Sequence, residues 1–171
     1  MCGLAGIISF DSRQPIEAKT LGKMSQRIEH RGPDASGSWE VELVSPSFAA
    51  GLVHCRLSIL DLDARANQPM TDSSGRFTIV FNGEIYNFRE LRALLEKELP
   101  EFEFRTTSDT EVIIAAFQAW GERCVERLEG MFAFVIVDQA TRTVFAARDR
   151  MGQKPLYLAT VSADKEPLDI F

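Results

Sequence analysis

The chain has 171 residues, 45% hydrophobic and 26% charged, which suits one globular domain with a buried core and is neither a disordered nor a membrane-like composition. Its net charge is −6 and its basic residues form no run, so broad nucleic-acid binding is not expected. Cys2, Cys55 and Cys124 are too scattered for a CxxC motif or a disulfide framework, and with only His30 and His54 as histidines no metal site is expected. The apolar start, 3–10, has no basic region before it and is too short to span a bilayer, so a cytoplasmic setting is expected.

In chain order, GLAGIISF (3–10) reads as a buried strand. Leu21, Met24 and Ile28 then recur at helical spacing within residues 16–30, and Arg31-Gly32-Pro33-Asp34 reads as a helix stop and turn. Two strands are expected around SGSWEVE (36–42) and AAGLVHCRLSIL (49–60). The second alternates, with Val53, Cys55, Leu57 and Ile59 on one face and His54, Arg56 and Ser58 on the other. A turn at Asp72-Ser73-Ser74-Gly75 leads into the strand RFTIVF (76–81). Two capping-box patterns, Asn87-x-x-Glu90 and Ser108-x-x-Glu111, open helices. The second helix carries an apolar stripe of Val112, Ile113, Ala116, Phe117 and Trp120. Three strand-like runs follow, MFAFVIVD (131–138), TVFAARD (143–149) and PLYLATV (155–161); the first lacks alternation and should be buried on both faces. Strands and helices are segregated rather than alternating, which predicts an α+β fold of two sheets covered by helices.

Few residues stand out chemically. Removal of Met1 would leave Cys2 with a thiol and a free α-amine on one residue, the nucleophile-plus-base pairing of covalent catalysis. Asn82-Gly83 fits a hairpin turn. It equally fits two donors aimed at one point, as in an oxyanion hole, because no alternating strand follows it. Arg56 is either a solvated strand residue or a bidentate grip on a carboxylate. Asp109 is either a helix-terminal acid or the partner of a ligand ammonium. His54 reads as a packed or surface strand residue, and Cys55 and Cys124 as core thiols.

Eight motifs occur together in one order: Met-Cys-Gly-x-x-Gly, RGPD (31–34), RLSIL (56–60), QPM (68–70), FNGEIYN (81–87), SDTEV (108–112), GMFAF (130–134) and ARDRMGQKPLY (147–157). The set resembles the glutaminase domain of glutamine-hydrolysing asparagine synthetases, class II amidotransferases with the N-terminal nucleophile hydrolase fold. The resemblance covers nearly the whole chain and implies a four-layer α/β/β/α sandwich of two mainly antiparallel sheets. It implies Cys2 as nucleophile with its own amine as base, and Asn82 and Gly83 as oxyanion donors. It implies Arg56 on the glutamine α-carboxylate, Asp109 with Glu84 at the α-amine, and Leu57, Ser58, Ile59 and Leu60 as backbone contacts along the substrate. Arg31 would support the loop over Cys2.

L-glutamine is therefore the expected ligand, and ammonia the expected product passed to a downstream synthetase domain. No cofactor or metal is expected in this domain; ATP and Mg2+ belong to that synthetase domain, which nothing in residues 1–171 resembles. The chain ends about where the domain's last strand would come, so an incomplete domain is expected, with an unpaired edge favouring self-association, such as a homodimer. The alternatives are the same glutaminase chemistry serving another acceptor, such as a sugar or surface-polymer precursor, an N-terminal nucleophile hydrolase acting on another amide, and a non-catalytic binding module.

Overall fold

The computed structural model describes residues 2–10, 16–43, 48–57 and 63–160. Two antiparallel sheets stack face to face. The first has three strands in the order β1 (Gly3–Ser9), β3 (Phe48–Arg56), β2 (Ala35–Leu43). The second has four in the order β4 (Met70–Thr71), β5 (Phe77–Ile85), β6 (Gly130–Asp138), β7 (Thr143–Arg148). Helix α1 (Ala18–Ile28) packs on β1 and β3, while α2 (Phe88–Glu98) and α3 (Asp109–Trp120) cover the other sheet, α3 lying on β5. The described residues thus form the expected α/β/β/α layers.

Side-chain alternation places the cores. Between the sheets lie Phe48, Ala50 and Leu52 of β3, Val80 of β5 and Val137 of β6, with Leu4 and Ile8 of β1 packed alongside. The opposite faces of β5 and β6 put Ile79, Phe81, Ile85, Phe134 and Ile136 against α2 and α3. Strand β6 therefore buries both faces, as its unbroken apolar run requires. Strand β3 is buried along all nine residues because it has a strand on either side, a helix on one face and a sheet on the other. Gly51 permits the helix contact: a Cβ there would lie 2.7 Å from Leu21 Cδ2.

Three local expectations are corrected. Asn82-Gly83 is not a turn, since β5 runs through it to Ile85 with unbroken register against β6. Neither capping box closes. Asn87 instead joins the segment before β6, donating to the Arg127 carbonyl and accepting from Glu129 N–H. Glu111 turns away from the helix to take Arg105 N–H, Thr106 N–H and the Thr106 hydroxyl. The third late strand is not formed over the described part of its run: residues 155–160 have no strand pairing, and Tyr157 and Leu158 are exposed. The Asp72–Gly75 turn is present, with Gly75 at φ 76° and Asp72 accepting from Ser74 and Phe77 amides.

Candidate active site

One end of the gap between the sheets is polar where the rest is apolar. On β1, Leu4 and Ile8 face the gap, so Cys2, two residues before Leu4, falls on the same side. On β3, Leu52 faces the gap and His54 and Arg56 continue its row. On β5, Val80 faces the gap and Asn82 and Glu84 continue its row. The β1–β3 register pairs Gly3 with Cys55, which sets Cys2 next to Arg56. His54 spans the gap: its Nε2 lies 3.0 Å from the Phe81 carbonyl oxygen, tying the end of β3 to β5 just before Asn82. Three strands from two sheets thus deliver Cys2, Arg56, Asn82 and Glu84 to one place.

The sulfur of Cys2 sits against the end of β3, accepting Leu57 N–H at 3.3 Å and lying 3.6 Å from the Leu57 carbonyl oxygen. Arg31 Nε donates to the Cys2 carbonyl at 3.1 Å. Gly3 has little free space beyond its Cα: a Cβ would lie 3.0 Å from Ile28 Cβ and 3.3 Å from Arg31 Cβ. RGPD proves to be more than a helix stop. Gly32 lies so near the end of β3 that a Cβ would come 2.3 Å from the Cys55 carbonyl oxygen, and Asp34 N–H bonds the Arg56 carbonyl at 3.0 Å.

Arg56 is 6% exposed, which removes the solvated reading. Its guanidinium donates to Asn67 Oδ1 at 2.6 Å and to the Asp63 carbonyl at 3.2 Å. Asp109, at the start of α3, accepts Ile85 N–H at 3.0 Å. Burial pushes its carboxyl up to about 6, partly offset by amide donors from Ile85, Thr110 and its own residue, with the Glu84 carboxylate adding to the rise. Asp109 and Glu84 therefore form an acidic pair close enough to repel. His54 is fully buried and held neutral: desolvation dominates, the Phe81 contact opposes it and nearby Arg56 adds to it, bringing the imidazole down to about 4.

Strand geometry determines where Gly83 points. Along β5 the peptide groups alternate between its two neighbours. Phe77 exchanges bonds with Asp72 on the β4 side. Phe81 N–H, of the same parity, goes to Gln68 Oε1 at 2.6 Å, and Ile85 N–H goes to Asp109. Gly83 lies between them and presents its N–H to that same edge, past the short strand β4. The absent side chain also has a packing reason: a Cβ on Gly83 would lie 2.2 Å from the Met131 carbonyl oxygen.

Ser58, Ile59 and Leu60 lie outside the described residues. Three residues enter the site without a role assigned from sequence. Asn67 gives no signal in the chain. Gln68 stood only as part of the QPM motif. His54 reads from the sequence as a packed or surface strand histidine; the structure buries it and makes it a tie between the sheets.

A family model described as "Glutamine amidotransferase domain" matches residues 1–167. Asparagine synthetase [glutamine-hydrolyzing] 3 of Bacillus subtilis is 38% identical over 92% of this chain and 24% of its own length. A putative asparagine synthetase of Mycobacterium bovis is 39% identical over 94% of this chain and 26% of its own. A putative asparagine synthetase 2 of Methanocaldococcus jannaschii is 39% identical over 92% of this chain and 32% of its own. The chain thus spans a quarter to a third of the length of these relatives. Glutamine phosphoribosylpyrophosphate amidotransferase of B. subtilis superposes with a TM-score of 0.69 over 94% of this chain and 40% of its own at 19% identity, a likeness of fold. The chain belongs to the glutamine amidotransferase domain family.

Proposed function

We propose that this domain hydrolyses the side-chain amide of L-glutamine to glutamate and ammonia through a thioester on Cys2. The observation that carries the reading is the polar end of the inter-sheet gap. A thiol, a buried guanidinium, a carboxamide and an acidic pair converge there from four elements. Those groups suit an α-amino acid with an amide at its far end. Arg56 takes the α-carboxylate. Asp109 and Glu84 take the α-ammonium, which relieves their mutual repulsion. Leu57, and Ser58, Ile59 and Leu60 beyond it, contact the substrate through the backbone.

With Met1 removed, the α-amine of Cys2 accepts the thiol proton and the thiolate attacks the amide carbon. The tetrahedral oxyanion is stabilised by the Asn82 side-chain amide and Gly83 N–H. The resulting ammonium returns its proton to the departing nitrogen, the C–N bond breaks and ammonia leaves. The amine then takes a proton from water, hydroxide adds to the thioester, and collapse releases glutamate and restores the thiol. Arg31 holds the Cys2 carbonyl, fixing the residue that carries both nucleophile and base. Ammonia passes to a downstream synthetase part, where ATP and Mg2+ act and asparagine is formed from aspartate. The relatives named asparagine synthetases support that acceptor over a sugar.

Labelling tests the reading. A diazo-ketone analogue of glutamine should add once, at Cys2, to protein lacking Met1, and excess L-glutamine should protect. Labelling of Cys55 or Cys124 instead, or no protection, contradicts it.

A further inference from the structure

The motif ARDRMGQKPLY carries a buried carboxylate that the proposed chemistry does not use. Asp149 is 4% exposed and follows β7 directly. Its Oδ2 accepts Phe132 N–H at 3.1 Å and Lys154 N–H at 2.9 Å, and its Oδ1 accepts Gln153 N–H at 2.9 Å. Its own N–H donates to the Phe132 carbonyl at 2.7 Å. Burial raises this carboxyl and the amides of Lys154, Gln153 and Phe132 outweigh it, so it stays below its ordinary value.

Phe132 is the β6 residue directly opposite Gly83. In an antiparallel pair a residue spends both peptide groups on one neighbour or the other. Asp149 takes both of Phe132's groups on the β7 side, so neither is offered to Gly83. Gly83 in turn faces the β4-side edge of β5, which no described strand pairs beyond β4, between Phe81 and Ile85, whose amides Gln68 and Asp109 hold. The Gly83 Cα rests on the same β6 segment, where the space of a Cβ is filled by Met131 O at 2.2 Å and Phe132 Cα at 2.7 Å. Any shift of Phe132 is therefore passed to Gly83 through backbone contact rather than through an adaptable side chain.

We infer that Asp149 is a positioning residue for glutamine hydrolysis, which clamps Phe132 so that the Gly83 N–H stays aimed at the oxyanion. The inference rests on the proposed Cys2 mechanism. A displacement of the order of an ångström at a reacting centre costs about a hundredfold in rate, so loss of the clamp should cost about ten- to a hundredfold.

The test compares Asp149→Asn, Asp149→Ala and, as a surface control, Met151→Ala, all with Met1 removed and assayed well below their Tm values. The expected result for a folded Asp149 variant is a ten- to hundredfold fall in kcat, with KM for glutamine within about threefold and an unchanged rate of Cys2 alkylation by iodoacetamide, which needs no oxyanion donor. Met151→Ala, 82% exposed at that site in the parent, should match the parent. A folded Asp149→Asn with parental kcat overturns the inference, as does a fall in alkylation equal to the fall in kcat. Failure of both variants to fold makes Asp149 a structural anchor and also overturns it. If the parent itself neither hydrolyses glutamine nor labels at Cys2, the underlying mechanism fails instead.

Discussion

Asn82 and Gly83 are neighbours with separate physical demands. In the proposed mechanism Asn82 supplies a side-chain donor on the inter-sheet face, while Gly83 supplies a backbone donor on the strand edge. Asn82→Ala should lower kcat about a hundred- to a thousandfold, as removal of one oxyanion donor does, with little change in KM. Steady-state ammonia release measures it, and a change confined to KM would contradict the assignment. Asp109 gives a pH-dependent prediction. Its carboxyl is raised to about 6, and only the ionised form pairs with an ammonium. KM for glutamine should therefore be lowest above pH 6 and rise as pH falls through it. Asp109→Asn should raise KM at pH 8 and flatten that dependence; a wild-type KM constant from pH 8 to 5 would exclude the pairing. From residue type alone Arg56, Asp109 and Asn82-Gly83 each carry two readings, and the family resemblance is what implies a role for each. Gln68 and Asn67 are ordinary polar residues whose work depends on partners far away in sequence.

Among the elements, β3 and the RGPD turn are built as a unit. Gly32 is pressed onto the Cys55–Arg56 peptide, where even one methyl would sit 2.3 Å from Cys55 O and 2.5 Å from Arg56 C. Both contacts are backbone, so β3 must move. Gly32→Ala should cost about 1–3 kcal/mol, the usual range for overpacking, and should raise KM for glutamine because Arg56 moves with the strand. Urea unfolding and a glutamine titration read the two effects, and an unchanged Cm with unchanged KM would contradict the coupling. Local sequence signals failed where tertiary demand was stronger. Asn87 and Glu111 match a capping pattern, yet each accepts backbone amides of a neighbouring segment instead. Asn-Gly matches a turn, yet β6 pairs with β5 straight through it, helped by Gly83 and Gly130. Helix and strand periodicities were legible because they are repeated over many residues, whereas a cap rests on one or two bonds.

At the scale of the molecule, the two sheets are joined at the site by a neutral histidine. His54 is lowered from 6.5 to about 4 by burial, so the unfolded chain binds more protons than the folded one between those values. Its contribution to stability is complete above about pH 6.5 and is lost as pH falls toward 4, to the order of 3 kcal/mol. Asp109 acts in the opposite sense between 3.8 and about 6. The slope is therefore read in an Asp109→Asn background, where His54→Phe should flatten it; an equal slope with and without His54 would contradict the assignment. The α+β class follows from the order of apolar runs, since strands and helices are segregated along the chain, whereas the four-layer sandwich is implied only by the family resemblance. The stacking that turns three separate strand ends into one site could not be read from periodicity, because alternation tells which residues share a face but not which faces meet. Nor does any helix among the described residues have the length and apolarity to cross a membrane.

In the proposed mechanism Cys2, freed of Met1, is the nucleophile of glutamine hydrolysis. The decisive measurement is steady-state release of glutamate from L-glutamine, made side by side for the Met1-free protein, the Met1-retaining protein and Cys2→Ala. Hydrolysis by the first alone is the predicted result. Full turnover by Cys2→Ala, or by protein that keeps Met1, would contradict the mechanism.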